Sequence, residues 1–290
     1  MTKPRVLLQL DGDSQPSVFD GVVAVDAGVD HLFRHGSVVP AGVRDLVHGA
    51  MFTRGGADLA STAIFVGGHD VALAQELLQA VLDCFFGPVR VSVMLDANGA
   101  NTTAAAALLV AEAHVKLAGT TVVVLGATGP VGQRVVGLAA RRGAQVRVGS
   151  RSAQRAQEVC DAVRQHDSGA RLTPLAIDRP DGLASALADA QVVIAAGAAG
   201  VRVVPAAAWR EAAELRVAID LNAVPPAGIE LIEVTDVAAE RDGVVCYGAI
   251  GVGGAKMKIH KRAIRRLFEA NDQVLDAEAI YELGRHVLAE

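Results

Sequence analysis

The chain has 290 residues and a formal net charge of -5; 51% of its residues are hydrophobic and only 3% are aromatic. This length is enough for two domains with separate cores, and cores of Ala, Val and Leu are typical of α/β proteins with doubly buried strands. The charge provides no basic surface for nucleic acid, so we predict no such partner. The three cysteines are scattered, which excludes a disulfide framework, favours a reducing compartment and predicts no metal site.

The N-terminal segment shows no export signal. Residues 1–5 lead directly into an apolar strand at 6–10, without a signal-peptide core and cleavage site. The most apolar long segment, 104–111, is too short to cross a membrane and is followed by charged residues. We therefore expect a soluble cytoplasmic protein with no membrane partner.

The first hundred residues alternate between predicted strands and predicted helices. Their apolar patterns predict strands at 6–10, 31–33, 62–66 and 89–95, and helices at 16–28, 40–51 and 71–85. A polar loop at 96–103 precedes an alanine-rich helix. The alternation predicts a parallel sheet, and we place this α/β domain at residues 1–115.

The second predicted domain, residues 116–267, begins with a glycine-rich turn between an apolar strand and an apolar helix. Gly126, Gly129 and Gly132 follow the strand at 122–125 with the spacing G-x-x-G-x-x-G. In a dinucleotide fold such glycines make the sharp turn, admit the pyrophosphate and let the helix pack on the strand. The pyrophosphate then lies at the positive end of the helix. We predict that the cofactor site also includes Thr128, Pro130, Val131, Ala196, Gly197 and Asn222.

The rest of this domain continues the same alternation. Strands are predicted at 145–148, 172–177, 192–195, 217–221 and 244–247, close to the six-strand pattern of a Rossmann domain. Two C-terminal helices, broken near Asn271 and Asp272, are predicted after a glycine loop that ends at about Lys256. We expect the helices at 268–290 to pack back on the first domain.

The end of the second strand of this domain indicates which dinucleotide binds. An NAD site normally has Asp or Glu there, but this chain has Ser150, Arg151 and Ser152, with Arg155 about one turn later. A guanidinium and two hydroxyls suit a 2′-phosphate. We therefore predict NADP, although the serines also fit a helix cap and Arg151 a solvated charge.

Several oxidoreductase signatures are missing, and the remaining polar candidates fall into a few groups. Neither tyrosine is followed four residues later by Lys, which argues against a short-chain dehydrogenase. The candidates are Gln9, Asp11, Asp13 and Asp20 near the first strand, Asp96, Asn98, Asn101, Thr102 and Thr103 after the fourth, and Lys256 and Lys258 near the C-terminal helices. Residues 101–103 also make a plausible helix N-cap.

Blocks along nearly the whole chain resemble the NADP-dependent methylene-tetrahydromethanopterin/methylene-tetrahydrofolate dehydrogenases of methylotrophic bacteria. The similar blocks are Ser17-Val-Phe-Asp20, Thr53-Arg-Gly-Gly56, residues 61–68, Phe86-Gly-Pro88, residues 94–103, the turn at 126–132 and residues 248–260. The resemblance implies a two-domain dehydrogenase with a tetrahydropterin in the interdomain cleft. It is greatest to the form that accepts both pterin carriers, and we expect a homo-oligomer.

The implied reaction is hydride transfer from the methylene carbon to NADP+, giving the methenyl cation. The adjacent nitrogens stabilise that cation, so no side chain must remove a proton, and the enzyme must align the reactants and exclude water. We expect Asp20, Asn98 and Lys256 to act at the reacting centre. Gln9, Asp11, Asp20, Asn101, Thr102 and Thr103 are expected to bind the pterin. Two alternatives stay open: a shikimate- or quinate-type dehydrogenase, and a catalytically silent NADP sensor.

Overall fold

The computed structural model describes residues 3–289; residues 1, 2 and 290, which the predicted first domain and its C-terminal helices include, lie outside the described part. The chain forms two compact units. One contains the chain up to Thr102 and the segment from Met257 onward, and the other is Thr103–Lys256. The sequence placed the divisions after 115 and after 267. The observed boundaries differ from the predicted ones because each observed boundary lies inside a continuous helix, where the sequence has no loop signal to mark it.

The strands, in chain order, are β1 (Val6–Asp11), β2 (His31–His35), β3 (Thr62–Gly67), β4 (Ser92–Leu95), β5 (Thr121–Leu125), β6 (Gln145–Ser150), β7 (Arg171–Ala176), β8 (Val192–Ala195), β9 (Val217–Asp220), β10 (Ala239–Arg241), β11 (Val244–Tyr247) and β12 (Val274–Leu275). The α-helices are α1 (Val18–Asp26), α2 (Val43–Phe52), α3 (Val71–Asp83), α4 (Ala100–Glu112), α5 (Pro130–Arg141), α6 (Ala153–His166), α7 (Pro180–Leu187), α8 (Ala206–Arg210), α9 (Ala249–Arg266) and α10 (Ala277–Val287).

The first unit is built on a parallel sheet in the order β12-β4-β3-β1-β2. Its central strands β1, β3 and β4 are buried along their whole length, which explains their unbroken apolar runs. Apolar residues of α2 and α3, such as Val47 and Leu77, pack with these strands in one core. The pairing of β12 with β4 was not predicted, because two residues carry no readable pattern.

The second unit has the sheet order β10-β11-β9-β8-β5-β6-β7, in which only β10 pairs antiparallel. Counted from β5, the six parallel strands have the order 3-2-1-4-5-6 of a Rossmann domain. The strand order reverses between β5 and β8. Ligands of such sheets bind at the carboxyl ends of the strands near this reversal.

The structure corrects the predicted loop at 96–103 and the predicted strand at 89–95. Helix α4 begins at Ala100, so residues 101–103 lie in its first turn and not in a loop. The strand begins only at Ser92, because Phe86 and Val89 exchange backbone hydrogen bonds in a tight turn before it.

The structure also corrects the predicted glycine loop before Lys256. Residues 249–256 belong to α9, so Lys256 lies inside a helix. A Cβ on Gly248 would lie 2.0 Å from the Glu233 carbonyl oxygen, and one on Gly251 would lie 1.8 Å from that of Asp236. These two glycines therefore permit close packing and do not indicate a loop. No helix within residues 3–289 has both the length and the apolar character needed to cross a membrane.

Candidate functional site

The glycine turn after β5 lies at the point where the strand order of the second sheet reverses. Gly126 has φ +73°, a conformation that favours glycine. A Cβ there would lie 2.5 Å from the Cα of Gly197 and 2.8 Å from the carbonyl carbon of Ala196. The loops after β5 and β8 therefore touch through their backbones, and only glycine allows this approach.

Gly132 and Gly129 are required for different reasons. A Cβ on Gly132 would lie 2.5 Å from the Gly126 oxygen and 2.7 Å from the Ala127 Cα, so this glycine lets α5 pack on the turn. A Cβ on Gly129 would have its nearest contact at 3.5 Å, and its φ of -80° is open to any residue. The protein itself therefore does not require glycine at 129. The role of Gly129 in cofactor binding stays a prediction.

A pocket of about 570 Å³ opens in front of this turn, within the second unit. Most predicted cofactor residues line it: Gly126, Thr128, Gly129, Pro130, Ser150, Arg151, Ser152, Arg155, Ala196 and Gly197. Gly129 is the N-cap of α5 and Pro130 its first residue, so the positive end of the helix faces the pocket. Val131 and Gly132 lie in the first turn of α5 and are not among the lining residues.

The end of β6 contributes hydroxyls and cations to the pocket. Ser150 Oγ accepts a hydrogen bond from the Ser152 N–H at 3.3 Å, and Ser152 Oγ caps α6 by accepting from the Arg155 N–H at 3.4 Å. The helix-cap interpretation of Ser152 is therefore correct, and the serine lines the pocket as well. Arg151 and Arg155 are exposed to solvent. Both guanidinium groups are accessible to an anionic ligand.

Six lining residues were not in the predicted cofactor set: Ile177, Asp178, Ala198, Val201, Arg202 and Val203. They follow β7 and β8, so their position at the carboxyl ends of strands was the available signal. Among the described lining residues, Asp178 is the only carboxylate. Arg202 forms an ion pair with Glu230 at 3.1 Å.

Asn222, predicted to bind the cofactor, lies outside the pocket lining. Its Oδ1 accepts hydrogen bonds from the backbone N–H groups of Gly200 and Val224, and its Nδ2 donates to the Pro226 oxygen. Its side chain therefore fastens the loop after β8 to the loop after β9. The neighbouring Asp220 is buried, and burial raises the pKa of its carboxyl group.

The carboxyl edge of the first sheet is polar but largely closed. Gln9 is buried in β1, where its Oε1 accepts a hydrogen bond from Arg34 Nε at 3.0 Å. Asp11, the last residue of β1, is fully buried and accepts from the backbone N–H groups of Asp13 and Ser17. Both side chains hold the loop that leads into α1. Arg34 was not singled out from the sequence.

A second buried polar cluster follows β4. Asp96 accepts from the backbone N–H groups of Asn101 and Thr102 at 2.9 and 3.0 Å, and from Thr102 Oγ1 at 2.6 Å. Asn101 Nδ2 donates to the Leu95 oxygen at 2.6 Å. Asp96, and not residues 101–103, therefore caps α4. Asn101 and Thr102 are buried parts of this capping arrangement.

The remaining predicted site residues occupy varied positions. Asn98 is exposed, has φ +53° and donates its backbone N–H to the Gly68 oxygen at 2.8 Å, at the same edge. Asp20 lies in the first turn of α1, whose N-cap is Ser17. Thr103 is half-buried in α4, and Lys256 is half-buried in α9, in the segment assigned to the second unit.

Two histidines at the first edge were missed by the sequence analysis. His69 Nδ1 lies 2.6 Å from Asp13 Oδ2, and this hydrogen bond raises the pKa of the imidazole. His260 of α9 is fully buried, with Nδ1 4.0 Å from Asp96 Oδ2. No short motif marks either residue. Both were visible in the sequence only as ordinary histidines.

Comparison with known proteins identifies the family. Residues 18–98 match the family model described as methylene-tetrahydromethanopterin dehydrogenase, N-terminal. The chain is 43% identical over 287 residues to bifunctional protein MdtA of Methylorubrum extorquens, covering 98% of this chain and 99% of that protein. It belongs to the methylene-tetrahydromethanopterin dehydrogenase family. The NAD(P)-dependent methylenetetrahydromethanopterin dehydrogenase of the same organism is 33% identical, with 92% of this chain and 93% of that protein covered.

Solved structures with low sequence identity share the fold. Shikimate 5-dehydrogenase from Listeria monocytogenes has a TM-score of 0.56 at 13% identity, with 97% of this chain and 96% of that chain covered. Quinate dehydrogenase from Corynebacterium glutamicum has a TM-score of 0.52 at 16% identity, with 97% and 99% covered. At these identities the similarity concerns the fold alone.

The comparisons confirm the predicted family and the predicted α/β class with parallel sheets. Membership in this family also confirms the predictions of an enzyme, of an oxidoreductase of one-carbon metabolism and of a nicotinamide dinucleotide as cofactor. The individual site residues, the second pterin carrier and the homo-oligomer stay predictions.

Proposed function

We propose that this chain catalyses reversible hydride transfer from methylene-tetrahydromethanopterin, and from methylene-tetrahydrofolate, to NADP+. The observation that carries the proposal is the pocket at the glycine turn of a chain from this family. It combines a helix N-terminus, a glycine whose missing side chain leaves room for a ligand, and exposed guanidinium groups beyond β6. These features fit a phosphorylated dinucleotide.

NADP, and not NAD, is the cofactor that these residues favour. Residues 149–152 contain no carboxylate to bind both ribose hydroxyls, whereas Arg151 and Arg155 can neutralise a 2′-phosphate. Ser150 and Ser152 line the same pocket. Asp178, which follows β7 and also lines the pocket, can accept a hydrogen bond from the adenine amino group. Bound NADP+ supplies the hydride acceptor.

The protein residues have to bind, orient and exclude water, because the nitrogens of the pterin stabilise the methenyl cation. We propose that the pterin binds at the carboxyl edge of the first sheet. Asn98 is exposed there and can donate to or accept from the pterin ring. The carboxylate of Asp20 favours the cationic product electrostatically. Lys256 is proposed to position the substrate.

The buried polar residues of this edge have a supporting part in the proposal. The side chains of Gln9 and Asp11 hold the loop before α1, which carries Asp20, and those of Asn101 and Thr102 hold the segment after β4, which carries Asn98. Hydride transfer needs the reacting carbons about 3–3.5 Å apart and aligned, so loops with a fixed backbone contribute to the rate. The predicted pterin contact of Thr103 stays a proposal, as do the cytoplasmic location and the homo-oligomer.

The test is a steady-state assay of the purified chain with each methylene pterin and with NADP+ or NAD+. We expect formation of NADPH and of the methenyl product with at least methylene-tetrahydromethanopterin, and a higher kcat/KM for NADP+ than for NAD+. Shikimate and quinate serve as control substrates and should give no reduction. Tight NADP+ binding without turnover of either pterin would instead indicate the silent sensor.

A further inference from the structure

His260 is a fully buried imidazole at the carboxyl edge of the first sheet. Its ring stacks on Phe65 of β3, with centroids 5.8 Å apart and planes inclined by 17°. The ring of Phe19 lies on α1, 6.4 Å away between centroids. His260 Nδ1 lies 4.0 Å from Asp96 Oδ2. One side chain thus contacts or approaches three separate elements of the first unit.

Two of these neighbours, Phe19 and Asp96, are close in the chain to proposed site residues. Phe19 immediately precedes Asp20, and Asp96 holds the first turn of α4, which follows Asn98. On α9, Lys256 precedes His260 by four residues, so both side chains lie on the same face of the helix. His260 therefore lies where the elements that carry Asp20, Asn98 and Lys256 can be fixed together.

Burying an imidazole only to fill space in the core is energetically unfavourable. Burying a polar side chain costs free energy that an apolar side chain of similar size avoids. The surroundings include a carboxylate that already accepts three hydrogen bonds. A leucine would fill the space beside Phe65 but would offer nothing to Asp96.

We propose that His260 is a positioning residue for hydride transfer, acting through Asp96 and Phe19. The imidazole fixes the Asp96 cap of α4 and the start of α1, and so sets the positions of Asn98 and Asp20. It does not touch the reacting atoms. This inference rests on the proposed dehydrogenase function. If the unaltered chain shows no activity with a methylene pterin, the proposed function is wrong; if it is active, the His260 variants test the positioning role separately.

The test compares His260→Leu with His260→Asn. Leucine keeps the volume and removes the polar group, whereas asparagine places an amide near the position of Nδ1. We expect His260→Leu to lower kcat by about 100-fold, the size of effect that a small misplacement produces. The Kd for NADP+ should change less than twofold, because the pocket lies in the second unit. His260→Asn should recover a large part of the lost kcat.

Ser92→Ala is the matched control. Ser92 is fully buried at the amino end of β4, where its hydroxyl donates to the Ala270 oxygen and accepts from the Gln273 N–H. Asp96 follows the other end of the same strand. The control removes a buried polar group from the same unit, so it should lower Tm and leave kcat within about twofold. If His260 has a positioning role, His260→Leu in contrast lowers kcat.

Three results would overturn the proposal: wild-type kcat in His260→Leu, equal loss in the Leu and Asn variants, or a fall in kcat of the same size in Ser92→Ala. If His260→Leu does not fold, Phe19→Leu decides, since Phe19 is 52% exposed and its replacement removes little buried surface. A lower kcat at constant NADP+ Kd supports the positioning role, and an unchanged kcat contradicts it.

Discussion

The carboxyl edges of the two sheets are both polar, but their polar side chains differ in exposure and in hydrogen bonding. At the edge of the second sheet, Arg151 and Arg155 are exposed and line an open pocket of about 570 Å³. At the edge of the first sheet, Asp11 and Asp96 are fully buried and accept hydrogen bonds from neighbouring backbone groups. The polar groups of the second edge are accessible to a ligand, whereas most of those at the first edge form hydrogen bonds within the protein.

This difference shows what the polar side chains do at each edge. The helix that follows a parallel strand begins with unpaired N–H groups, and either a ligand or a protein carboxylate can accept from them. The second edge keeps its helix N-terminus open behind Gly129, which suits an anion. The first edge closes its helix α4 with Asp96. Only a few groups there, including Asn98, are left for a substrate.

The largest expected effects at the second edge come from its glycines. Gly132→Ala places a Cβ against backbone atoms that cannot move away, so we expect a loss of about 1–3 kcal/mol or more in unfolding free energy. Gly129→Ala is the matched control, with space for the Cβ in the protein itself. It should keep Tm and weaken NADP+ binding by about tenfold or more, or about 1.4 kcal/mol.

Thermal unfolding and NADP+ titration of both variants provide the measurement. A Gly129→Ala variant with unaltered NADP+ affinity would contradict the role of this position in ligand approach. Equal stability of the two variants would contradict the packing role assigned to Gly132.

Removing the cap of the first edge should cost stability without affecting the cofactor. Asp96→Ala leaves the N–H groups of Asn101 and Thr102 without their acceptor, whereas the Thr102 hydroxyl can still donate to the Gly99 oxygen. Each buried donor left unpaired costs about 1–3 kcal/mol. Denaturant unfolding should show this loss, while the NADP+ Kd stays unchanged. If Asp96→Ala weakened NADP+ binding and kept wild-type stability, the structural role assigned to the first edge would be wrong.

Arg151→Ala tests the exposed cations of the second edge. Losing a charge-assisted contact should cost about 1.5–3 kcal/mol of NADP+ binding and leave NAD+ binding and Tm unaffected. Arg171→Ala, an exposed arginine at the amino end of β7, is the control. Equal losses for NADP+ and NAD+ would refute the 2′-phosphate role.

The smallest effect concerns His69 at the first edge. The hydrogen bond and charge of Asp13 raise the pKa of its imidazole in the folded protein. The resulting stability is fully present below the pKa of the unfolded chain and is lost as pH rises through the raised folded value. It should be small, because the His69 side chain is 86% exposed. An NMR titration should show the raised pKa, and Asp13→Asn should remove the shift; an unshifted imidazole in the unaltered chain would show that the contact is absent in solution.

The sequence predicted the second edge better than the first for a physical reason. The pocket is made mainly by backbone geometry, and Gly126 and Gly132 are readable because a side chain there would meet backbone atoms. The functions of Gln9, Asp11 and Asn101 depend on which neighbour reaches them, and spacing does not encode that. His260 was not predicted for the same reason, because its neighbours Phe19, Phe65 and Asp96 come from distant segments of the chain.

Glycine-rich segments were also ambiguous, because glycine occurs both in loops and where a helix packs closely on its neighbours. Residues 248–254 contain four glycines, which predicted a loop, yet Gly248 and Gly251 fit α9 closely against residues 233–237. Asn222 joins two loops outside the pocket lining, and its predicted cofactor contact stays a prediction. The apolar runs, in contrast, predicted most strand positions, although β10 and β12 were not predicted.

In the proposed reaction, the methylene carbon of a tetrahydropterin gives its hydride to NADP+. The most direct measurement uses a methylene carrier deuterated at that carbon, with mass spectrometry of the reduced cofactor. We expect one deuterium in the NADPH formed by the wild-type chain, at a rate that Arg151→Ala lowers at limiting NADP+. Reduction of NADP+ without deuterium, or no reduction with either carrier, would contradict it.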